Sequence, residues 1–146
     1  MVLWRISRHR DLRGTGGLKA NGRWHDLGQP VVYLSESPSS ALLEVCVHSS
    51  ANDVPPDFTL LKIEAPDVAI DLIAINDLRE DWKKQLNVTR ELGTQWLRKN
   101  EGVLLQVPSA IVPHTANFLL NPLHPDAVGF QIVEALAYPF DTRIKK

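Results

Sequence analysis

The stretch NGRWHDLGQPVVYLSESPSSALLEV, residues 21–45, carries the clearest structural signals in the chain. Within it, the apolar run PVVYL (residues 30–34) is bounded by Gly28 and a serine-rich turn, which predicts a strand. SESPSSALLEVCVHSS then predicts a helix, with Ser37 as the N-cap and Pro38 in the first turn, where a missing N–H costs nothing. A strand leading through a short turn into a helix is therefore the starting point of the fold prediction.

The segments on either side predict further strands and helices. The glycine-rich segment RGTGGLKANGRW (13–24) is typical of an irregular loop. Strands are predicted at VLWRIS (2–7), DFTLLKIEAP (57–66), VAIDLI (68–73, after a tight Pro-Asp turn), VLLQVPSAIVP (103–113, broken at Pro108), NFLLNP (117–122) and, with a helix as the alternative, GFQIVEALAYPF (129–140). Helices are predicted at DLREDWKK (77–84) and NVTRELGTQWLRKNEG (87–102). Strands at both ends with helices between them favour a mixed α+β domain.

Composition is that of an ordinary globular domain. The 146 residues fit one domain, and 44% hydrophobic content supports a sizeable core without disulfides. A formal net charge of -1 argues against a dedicated nucleic-acid binder, which normally carries a basic excess. No apolar run approaches the roughly 18 residues that cross a bilayer, and the lone Cys46 forms no intrachain disulfide. We therefore expect a cytoplasmic protein that contacts neither nucleic acid nor membrane.

Two arginines occupy positions where their charge needs an explanation. Arg5 interrupts the apolar strand VLWRI, on the face that strand alternation assigns to Leu3. A half-buried guanidinium requires an anionic partner, which is either a protein carboxylate or a ligand. Arg23 lies between Gly22 and Trp24 at a turn, where its planar fork of donors fits phosphate or carboxylate oxygens. The alternative for Arg23 is an ordinary surface arginine.

A tyrosine and a glutamate interrupt the apolar runs that follow. Tyr33 suits a strand, and it is either a core residue with a hydrated hydroxyl or a stacking surface for a flat ring. Glu44 shares one helix face with Ser40 and His48, each one turn away. This polar stripe either faces water or lines a cleft, where a carboxylate would stabilise developing positive charge.

The remaining candidates have weaker support from motifs. Ser109 is outside a G-x-S-x-G elbow, and serines near a proline bend commonly hydrogen-bond their own backbone. Asn117 and Asn121 flank the run FLL and either cap strand ends or contact a ligand. The histidines show no H-x-x-x-H or H-E-x-x-H spacing, and one cysteine makes no thiolate site, so no metal is expected.

Three segments taken in order resemble the RES domain family: LWRIS, GTGGLKANGRWHDLGQPVVYLSESPSSALLEVCVH and LLQVPSAIVPHTANFLLNPLHP. The resemblance runs in order from residue 3 to about residue 125, and its GRW…G.PVVYLS.S…ALLE block is specific. It implies an α+β fold over residues 1–146, a single compact domain resembling ADP-ribosyltransferase toxins, with central mixed β-sheets flanked by helices and NAD in a central cleft. His25 departs from the asparagine that commonly follows this tryptophan in the family.

The resemblance also implies roles for individual residues. Carried over by position, the NAD-binding residues are Arg5, Arg23, Tyr33, Glu44, Ser109 and Asn121, and the catalytic set is Glu44, Arg23 and Ser109. The arginines would clamp the pyrophosphate, Tyr33 would stack on the nicotinamide ring, and Glu44 would offset charge developing on the ribose. Ser109 would orient the ribose or the acceptor. No metal and no cofactor besides NAD, the substrate, is implied.

The activity implied by the family is cleavage of the bond between nicotinamide and ribose in NAD. The acceptor stays open among phosphate, water and a protein side chain, so a NAD phosphorylase or glycohydrolase is expected ahead of a protein ADP-ribosyltransferase. Inorganic phosphate is then a possible co-substrate. A non-catalytic nucleotide- or antitoxin-binding module is the alternative from another class. The family members are toxins of toxin–antitoxin pairs, so the implied partner is an Xre-type helix-turn-helix antitoxin, and homodimerisation stays open.

Overall fold

A seven-stranded mixed sheet organises the chain, which a computed structural model describes at residues 1–48, 57–139, 141 and 143–144. The strands are β1 (Val2–Ser7), β2 (Val32–Ser35), β3 (Asp57–Glu64), β4 (Ile70–Leu72), β5 (Leu104–Pro108), β6 (Ala116–Leu120) and β7 (Gln131–Pro139). Their order across the sheet is β4-β5-β6-β2-β1-β3-β7. β4 and β5 pair in parallel, and the other described pairings are antiparallel.

The structure contains helices as well as strands and confirms the predicted α+β class. It differs from the prediction in having one continuous sheet where several sheets were expected. The α-helices are α1 (Gly16–Lys19), α2 (Pro38–His48) and α3 (Leu86–Lys99), and 3-10 turns lie at Ile75–Asp77, Trp82–Lys84 and Pro125–Gly129. Of the helices in the described ranges, none has the length and apolar character needed to cross a membrane.

The connection from β2 to α2 forms as its sequence predicts. Pro38 is the first residue of α2, and the Ser40 N–H donates a 3.1 Å hydrogen bond to the Ser37 Oγ. This bond satisfies one of the N–H groups that a helix start leaves without an intrahelical partner. The helix packs against β1 and β2, so its Glu44 face is brought close to the strand that carries Tyr33. The predicted helix residues 49–50 lie outside the described part of the chain.

The helix α3 contacts the loop of residues 22–26 very closely. Gly93 lies in the middle of α3, and a Cβ at this position would overlap the Trp24 carbonyl oxygen. The glycine is therefore required for the approach, despite the roughly 1 kcal/mol that glycine costs within a helix. Asn100 ends α3 in the left-handed conformation, with a φ of 54°, as predicted from the Asn-Glu-Gly sequence at this point.

Apolar side chains cover both faces of the sheet. One cluster contains Leu3, Val32, Leu34, Leu61, Ile63, Leu104, Phe118 and Leu120. The other contains Trp24, Val31, Trp82, Leu97, Leu105, Val107 and Leu119. Because neighbouring residues of a strand point to opposite faces, burial on both sides explains the unbroken apolar runs VVYL, VLL and FLL.

Three predictions about the elements were wrong or incomplete. The strands predicted at 57–66 and 68–73, on either side of a tight turn, are shorter than predicted and do not pair with each other, because β4 pairs with β5 at the edge of the sheet far from β3 and β7. The predicted helix at 77–84 is replaced by two 3-10 turns, and the glycine-rich loop at 13–24 contains the short helix α1. The segment with two readings, 129–140, is strand β7 up to Pro139, and residue 140 lies outside the described part.

Candidate active site

A cavity of about 680 Å³ lies beside α2, the sheet and the loop of residues 20–25. This volume is within the range of small-molecule sites. Its lining includes Arg5, Arg23, Tyr33 and Glu44, which the sequence analysis selected, together with His25, His48 and Asn117. Residues that the sequence analysis selected therefore line one concave surface.

The Glu44 carboxylate is held by two partners. Its Oε1 accepts a 2.8 Å hydrogen bond from the Asn117 Nδ2, and its Oε2 lies 3.3 Å from the His48 Nε2. The Glu44 side chain remains 29% exposed, so these contacts orient the carboxylate without closing it off from the cavity. The three residues of the predicted polar stripe do not share one role. Ser40 donates its N–H to the N-cap residue Ser37, whereas Glu44 and His48 line the cavity.

The sequence leaves two readings for Asn117, a strand cap and a ligand contact. The structure shows a third role, in which Asn117 contacts the Glu44 carboxylate. It pairs with Ser35 across β2 and β6, and the Ser35 Oγ donates a 3.5 Å hydrogen bond to the Asn117 Oδ1. An amide oxygen that accepts from Ser35 leaves the amide NH₂ to donate to Glu44. The signal in the sequence was an asparagine at the start of an otherwise apolar strand.

Arg5 brings a buried positive charge to the cavity. It lies opposite Leu61 of β3, on the face shared with Leu3 as strand alternation predicted. Its Nη1 is buried and has no hydrogen-bond partner within the described residues. Burial lowers the pKa of the Arg5 guanidinium, and the negative charge of Asp11 opposes that shift. A guanidinium stays protonated in proteins, so this site has one cation with unused hydrogen-bonding capacity.

Arg23 is half-buried at the edge of the cavity. Its Nη1 donates a 3.2 Å hydrogen bond to the Lys83 carbonyl, and its Cζ lies 5.9 Å from the centroid of the Trp82 ring. These contacts restrict the side chain and leave other guanidinium donors available to a ligand. Arg23 is therefore a partly exposed arginine that lines the cavity.

Tyr33 is tied to the loop by its hydroxyl group. The hydroxyl oxygen accepts a 3.1 Å hydrogen bond from the Trp24 N–H and lies 2.7 Å from the His25 Nδ1. Burial raises the pKa of the Tyr33 phenol, so the phenol stays neutral. A Cβ on Gly22 would overlap both the hydroxyl and the imidazole, so glycine is needed at this position. The ring is thus a fixed wall of the cavity.

Polar residues of α3 fix the loop from the other side. The Thr89 Oγ1 donates a 2.6 Å hydrogen bond to the Arg23 carbonyl, and the Arg90 Nε donates a 2.7 Å bond to the Gly22 carbonyl. The Asp26 N–H donates to the Thr94 Oγ1 at 2.9 Å. Sequence reasoning missed these contacts because they join residues more than sixty positions apart, and no local pattern marks such pairs.

Ser109 does not reach the cavity. Its side chain is buried, and its Oγ accepts hydrogen bonds from the N–H groups of Ile111 at 3.1 Å and Val112 at 3.2 Å. Ala110 and Ile111, which follow it, do line the cavity. Ser109 therefore shapes the turn that presents its neighbours, as the turn-forming alternative predicted, and the geometry does not place its hydroxyl against a ligand.

Asn121 lies away from the cavity, at the end of α3. Its Nδ2 donates to the Leu97 carbonyl at 3.2 Å and to the Asn100 Oδ1 at 2.8 Å, while its Oδ1 accepts from the Leu123 N–H at 3.1 Å. With 1% of its surface exposed, it has no access to a ligand in this cavity. Its ligand-binding assignment is not supported, because its polar atoms are used to join α3 to the end of β6.

The lining chemistry fits an organic ligand that carries both signs of charge. Arg5 and Arg23 suit anionic oxygens, Glu44 suits hydroxyl groups or a cationic centre, and Tyr33 offers an aromatic ring. Within the described ranges, no three His, Cys, Asp or Glu side chains cluster as metal ligands would. The arrangement can therefore bind a nucleotide-like molecule and stabilise positive charge near Glu44.

Comparison with known proteins gives a consistent family. The RES domain matches residues 2–141. A protein named Toxin Res from Pseudomonas putida is 47% identical over 134 residues, which cover 90% of this chain and 92% of that protein. A protein named Prs ADP-ribosylating toxin from Sphingobium sp. is 33% identical over 152 aligned residues, with coverage of 97% and 94%.

A solved structure shows the same fold. A chain in the crystal structure of the M. tuberculosis MbcT–MbcA toxin–antitoxin complex matches this one with a TM-score of 0.77. The match covers 94% of this chain and 84% of that chain at 19% sequence identity. At this identity the likeness concerns the fold alone.

Proposed function

The chain belongs to the RES domain family, and we propose that it is the toxin of a toxin–antitoxin pair that consumes NAD by cleaving the nicotinamide–ribose bond. One observation supports this most directly. The Glu44 carboxylate, oriented by Asn117 and His48, lines the same cavity as the buried and incompletely bonded cation of Arg5. An anion site and a carboxylate on one cavity suit a substrate with a pyrophosphate and a cationic ring.

The arginines would bind the pyrophosphate of NAD. The Arg5 Nη1 has no partner within the described residues and is closed off from solvent. If the Arg5 side chain turned toward the cavity, a phosphate oxygen would satisfy this nitrogen with a charge-assisted hydrogen bond. Arg23 is already restricted by Lys83 and Trp82, so little side-chain entropy is lost when it contacts a second phosphate oxygen. Such binding also neutralises a buried positive charge, which favours the complex.

Tyr33 would contact the nicotinamide ring. An aromatic face attracts the cationic ring of NAD before cleavage, and this attraction is lost once nicotinamide departs as a neutral molecule. The Tyr33 hydroxyl is occupied by Trp24 and His25, so the ring is positioned before the substrate arrives. A fixed ring reduces the entropy lost on binding.

Glu44 would stabilise the transition state of bond cleavage. The bond between C1′ of the ribose and the nicotinamide nitrogen breaks, and its electron pair leaves with the nicotinamide. Positive charge then develops on C1′ and the ring oxygen, and a carboxylate beside them lowers the barrier. Asn117 and His48 hold this carboxylate in place before the reaction, so no reorganisation is needed at the transition state.

The acceptor completes the reaction at C1′. A phosphate oxygen would give ADP-ribose 1″-phosphate, and a water oxygen would give ADP-ribose with loss of a proton to solvent. The proposal favours these two small acceptors because the cavity remains partly open to solvent at Glu44, beside which C1′ would lie. A phosphate acceptor would need donors besides Arg5 and Arg23, which the pyrophosphate of NAD would occupy. Transfer to a protein side chain is the second candidate, which the name of the 33% identical relative favours.

An antitoxin would hold the activity in check. The structural neighbour comes from a toxin–antitoxin complex, which supports an antitoxin partner for this chain as well. We propose a partner of the Xre-type helix-turn-helix class that covers the cavity mouth and excludes NAD. Expression without the antitoxin should then lower cellular NAD and stop growth.

The decisive experiment measures NAD loss by the purified protein with and without inorganic phosphate. Glu44→Gln preserves the size of the side chain and removes its charge, and Glu101→Gln is the matched control at an exposed position. The proposal expects NAD loss from the wild-type protein and the control, and a fall of about 10²–10³-fold in Glu44→Gln. Phosphate dependence identifies a phosphorylase, and phosphate independence identifies a glycohydrolase.

The binding-module alternative gives the opposite result. Folded wild-type protein that binds NAD without consuming it would favour that module. Labelling of a protein target by ADP-ribose without release of free product would favour the transferase. Equal melting temperatures of wild type and Glu44→Gln are needed in either case, because they separate loss of chemistry from loss of folding.

A further inference from the structure

We propose that His25 is a positioning residue whose neutral imidazole fixes the Tyr33 hydroxyl, and that protonation of His25 releases the Tyr33 ring and makes the site sensitive to acid. The inference rests on the proposed function in one respect, since it treats Tyr33 as the surface that meets the nicotinamide ring. His25 lines the cavity and is 3% exposed. It would therefore act through Tyr33 and not on the substrate itself.

The hydrogen bonds of His25 define its tautomer. The Nε2 lies 2.9 Å from the Ala20 carbonyl oxygen, which only accepts hydrogen bonds, so Nε2 carries the proton and donates. The other nitrogen of a neutral imidazole is an acceptor. The Nδ1, 2.7 Å from the Tyr33 hydroxyl oxygen, therefore accepts the hydroxyl proton. Since the hydroxyl oxygen accepts from the Trp24 N–H, the hydroxyl is used as both donor and acceptor.

The surroundings keep this imidazole neutral. Burial lowers the pKa of His25, which is the largest influence, and the positive charge of Arg90 acts in the same direction. The carbonyl groups of Ala20 and Gly17 and the carboxylate of Asp26 favour the protonated form, but they do not reverse the shift. His25 is thus neutral at pH 7 and becomes protonated only in acid.

Protonation of His25 reverses the direction of its bond to Tyr33. With a proton on both ring nitrogens, Nδ1 becomes a donor to the Tyr33 hydroxyl oxygen. The hydroxyl proton then has to rotate away from the axis between Nδ1 and that oxygen. The charged groups that act on the Tyr33 hydroxyl are Arg90, Arg23 and Glu44. The charged groups that act on His25 itself are Asp26, which favours the protonated imidazole, and Arg90, which disfavours it.

Close packing directs the response toward the cavity. Gly22 lies against both the His25 imidazole and the Tyr33 hydroxyl, with too little space even for a Cβ. A Tyr33 hydroxyl displaced by the new N–H cannot move toward Gly22, and it is expected to shift toward the cavity that the ring lines. The binding surface for the nicotinamide ring would then change shape.

The first test compares kcat/KM for NAD loss between pH 5 and pH 8. In the wild-type protein, kcat/KM should fall about tenfold per pH unit below the pKa of His25. His25→Asn places an amide oxygen near the position of Nδ1 and does not titrate, so it should keep most of the wild-type kcat/KM at pH 7.5 and show no acidic decline. His25→Leu has a similar volume and no acceptor, so its kcat/KM should lie about tenfold below the wild-type value at pH 7.5, mainly through KM, and should show no decline through this residue in acid. An acidic decline in His25→Asn equal to that of wild type would overturn the proposal.

The second test does not depend on NAD. Nitrogen NMR of the His25 imidazole should show an unprotonated Nδ1 at pH 7.5, and Tyr33→Phe should raise the His25 pKa, because it removes the hydroxyl that donates to the neutral ring. A proton on Nδ1 at pH 7.5, or an unchanged titration in Tyr33→Phe, would refute the inference. Absence of NAD loss from the wild-type protein would instead refute the proposed function and leave this test intact.

Discussion

Glu44 and Asn117 are 73 residues apart in the chain and are joined by a 2.8 Å hydrogen bond from the Asn117 amide to the Glu44 carboxylate. The bond links α2 to β6, and Ser35 of β2 fixes the amide from its other side. A flexible glutamate on a helix thus obtains its orientation from the rigid sheet. The orientation of the candidate catalytic carboxylate is therefore a property of the fold as a whole.

Asn117→Asp should reduce kcat for NAD loss by about 10²-fold. The change replaces the amide donor with a second carboxylate, which repels Glu44 and shifts it from its position. Steady-state kinetics from pH 5 to pH 9 would measure this loss.

The matched control for Asn117→Asp is Asn87→Asp, which adds the same charge at an exposed position of α3. We expect wild-type kinetics from this control. If Asn117→Asp retained the wild-type kcat and pH profile, the orientation of Glu44 would not depend on Asn117. The relay from Ser35 to Glu44 would then be irrelevant to activity.

Arg5→Met should make the protein more stable and less active. The guanidinium is buried with an Nη1 that has no partner within the described residues, and a buried polar group without a hydrogen bond costs about 1–3 kcal/mol. Methionine fills much of the same volume, so the free energy of unfolding should rise by about 1 kcal/mol. The KM for NAD should rise at least about tenfold, since a charge-assisted contact to phosphate is lost.

Urea denaturation and steady-state kinetics on the same preparation test this pair of effects. Arg8→Met removes an identical charge at an exposed position and should change neither quantity appreciably. Lower stability together with an unchanged KM would show that Arg5 has a structural role. The two readings of Arg5 from the sequence, a protein partner or a ligand, are separated by this result.

The elements with strong local signals were predictable from the sequence. β1 spans the predicted residues, and α2 begins at Pro38 behind its Ser37 cap, because alternation and capping depend on neighbouring residues only. The pairing of β4 with β5 was not predictable, since period-two alternation says nothing about which strand lies alongside. The prediction of a helix at 77–84 was wrong. A short 3-10 turn begins at Trp82 in this segment, and the Trp82 side chain is buried in the core.

The polar residues that line the site were predictable from the sequence, and the contacts that support them were not. Arg5, Tyr33 and Glu44 are conspicuous because each interrupts an apolar run, and all three line the cavity. The ligand roles of Ser109 and Asn121 came from the family resemblance, whereas the structure uses their polar atoms in a turn and at a helix end. The supporting contacts made by α3 join distant segments, and hydrogen bonding between such segments leaves no local pattern.

Thr89→Val should weaken activity although Thr89 does not line the cavity. The change keeps the side-chain shape and removes the 2.6 Å hydrogen bond to the Arg23 carbonyl. Loss of this buried bond should lower the free energy of unfolding by about 1–3 kcal/mol, because the carbonyl loses its partner. The KM for NAD should rise severalfold, since Arg23 is less well fixed. Unchanged KM with reduced stability would confine the role of α3 to folding.

The free energy of unfolding should fall as the pH drops below about 6.5, through His25. Burial lowers the pKa of His25 in the folded protein, so the unfolded chain binds this proton more readily. The contribution of His25 to the free energy of unfolding is therefore fully present above the pKa that His25 has in the unfolded chain. It is lost progressively as the pH falls toward the pKa of His25 in the folded protein, by at most about 1.4 kcal/mol per pH unit. Denaturation curves at half-unit steps of pH should show this slope in wild type and His9→Leu, and a shallower slope in His25→Leu.

Gly22→Ala should disrupt the cavity wall with a single methyl group. A Cβ at residue 22 would overlap the Tyr33 hydroxyl and the His25 Nδ1, so either the ring or the loop has to shift. Overpacking of this kind typically costs about 1–3 kcal/mol, and displacement of the binding surface should reduce kcat/KM about tenfold or more.

Gly16→Ala is the matched stability control, because a Cβ there meets no atom within 4 Å. It should leave the melting temperature unchanged or raise it slightly, since alanine suits the short helix α1. Equal melting temperatures and equal kcat/KM for the two variants would contradict a rigid contact between Gly22, Tyr33 and His25.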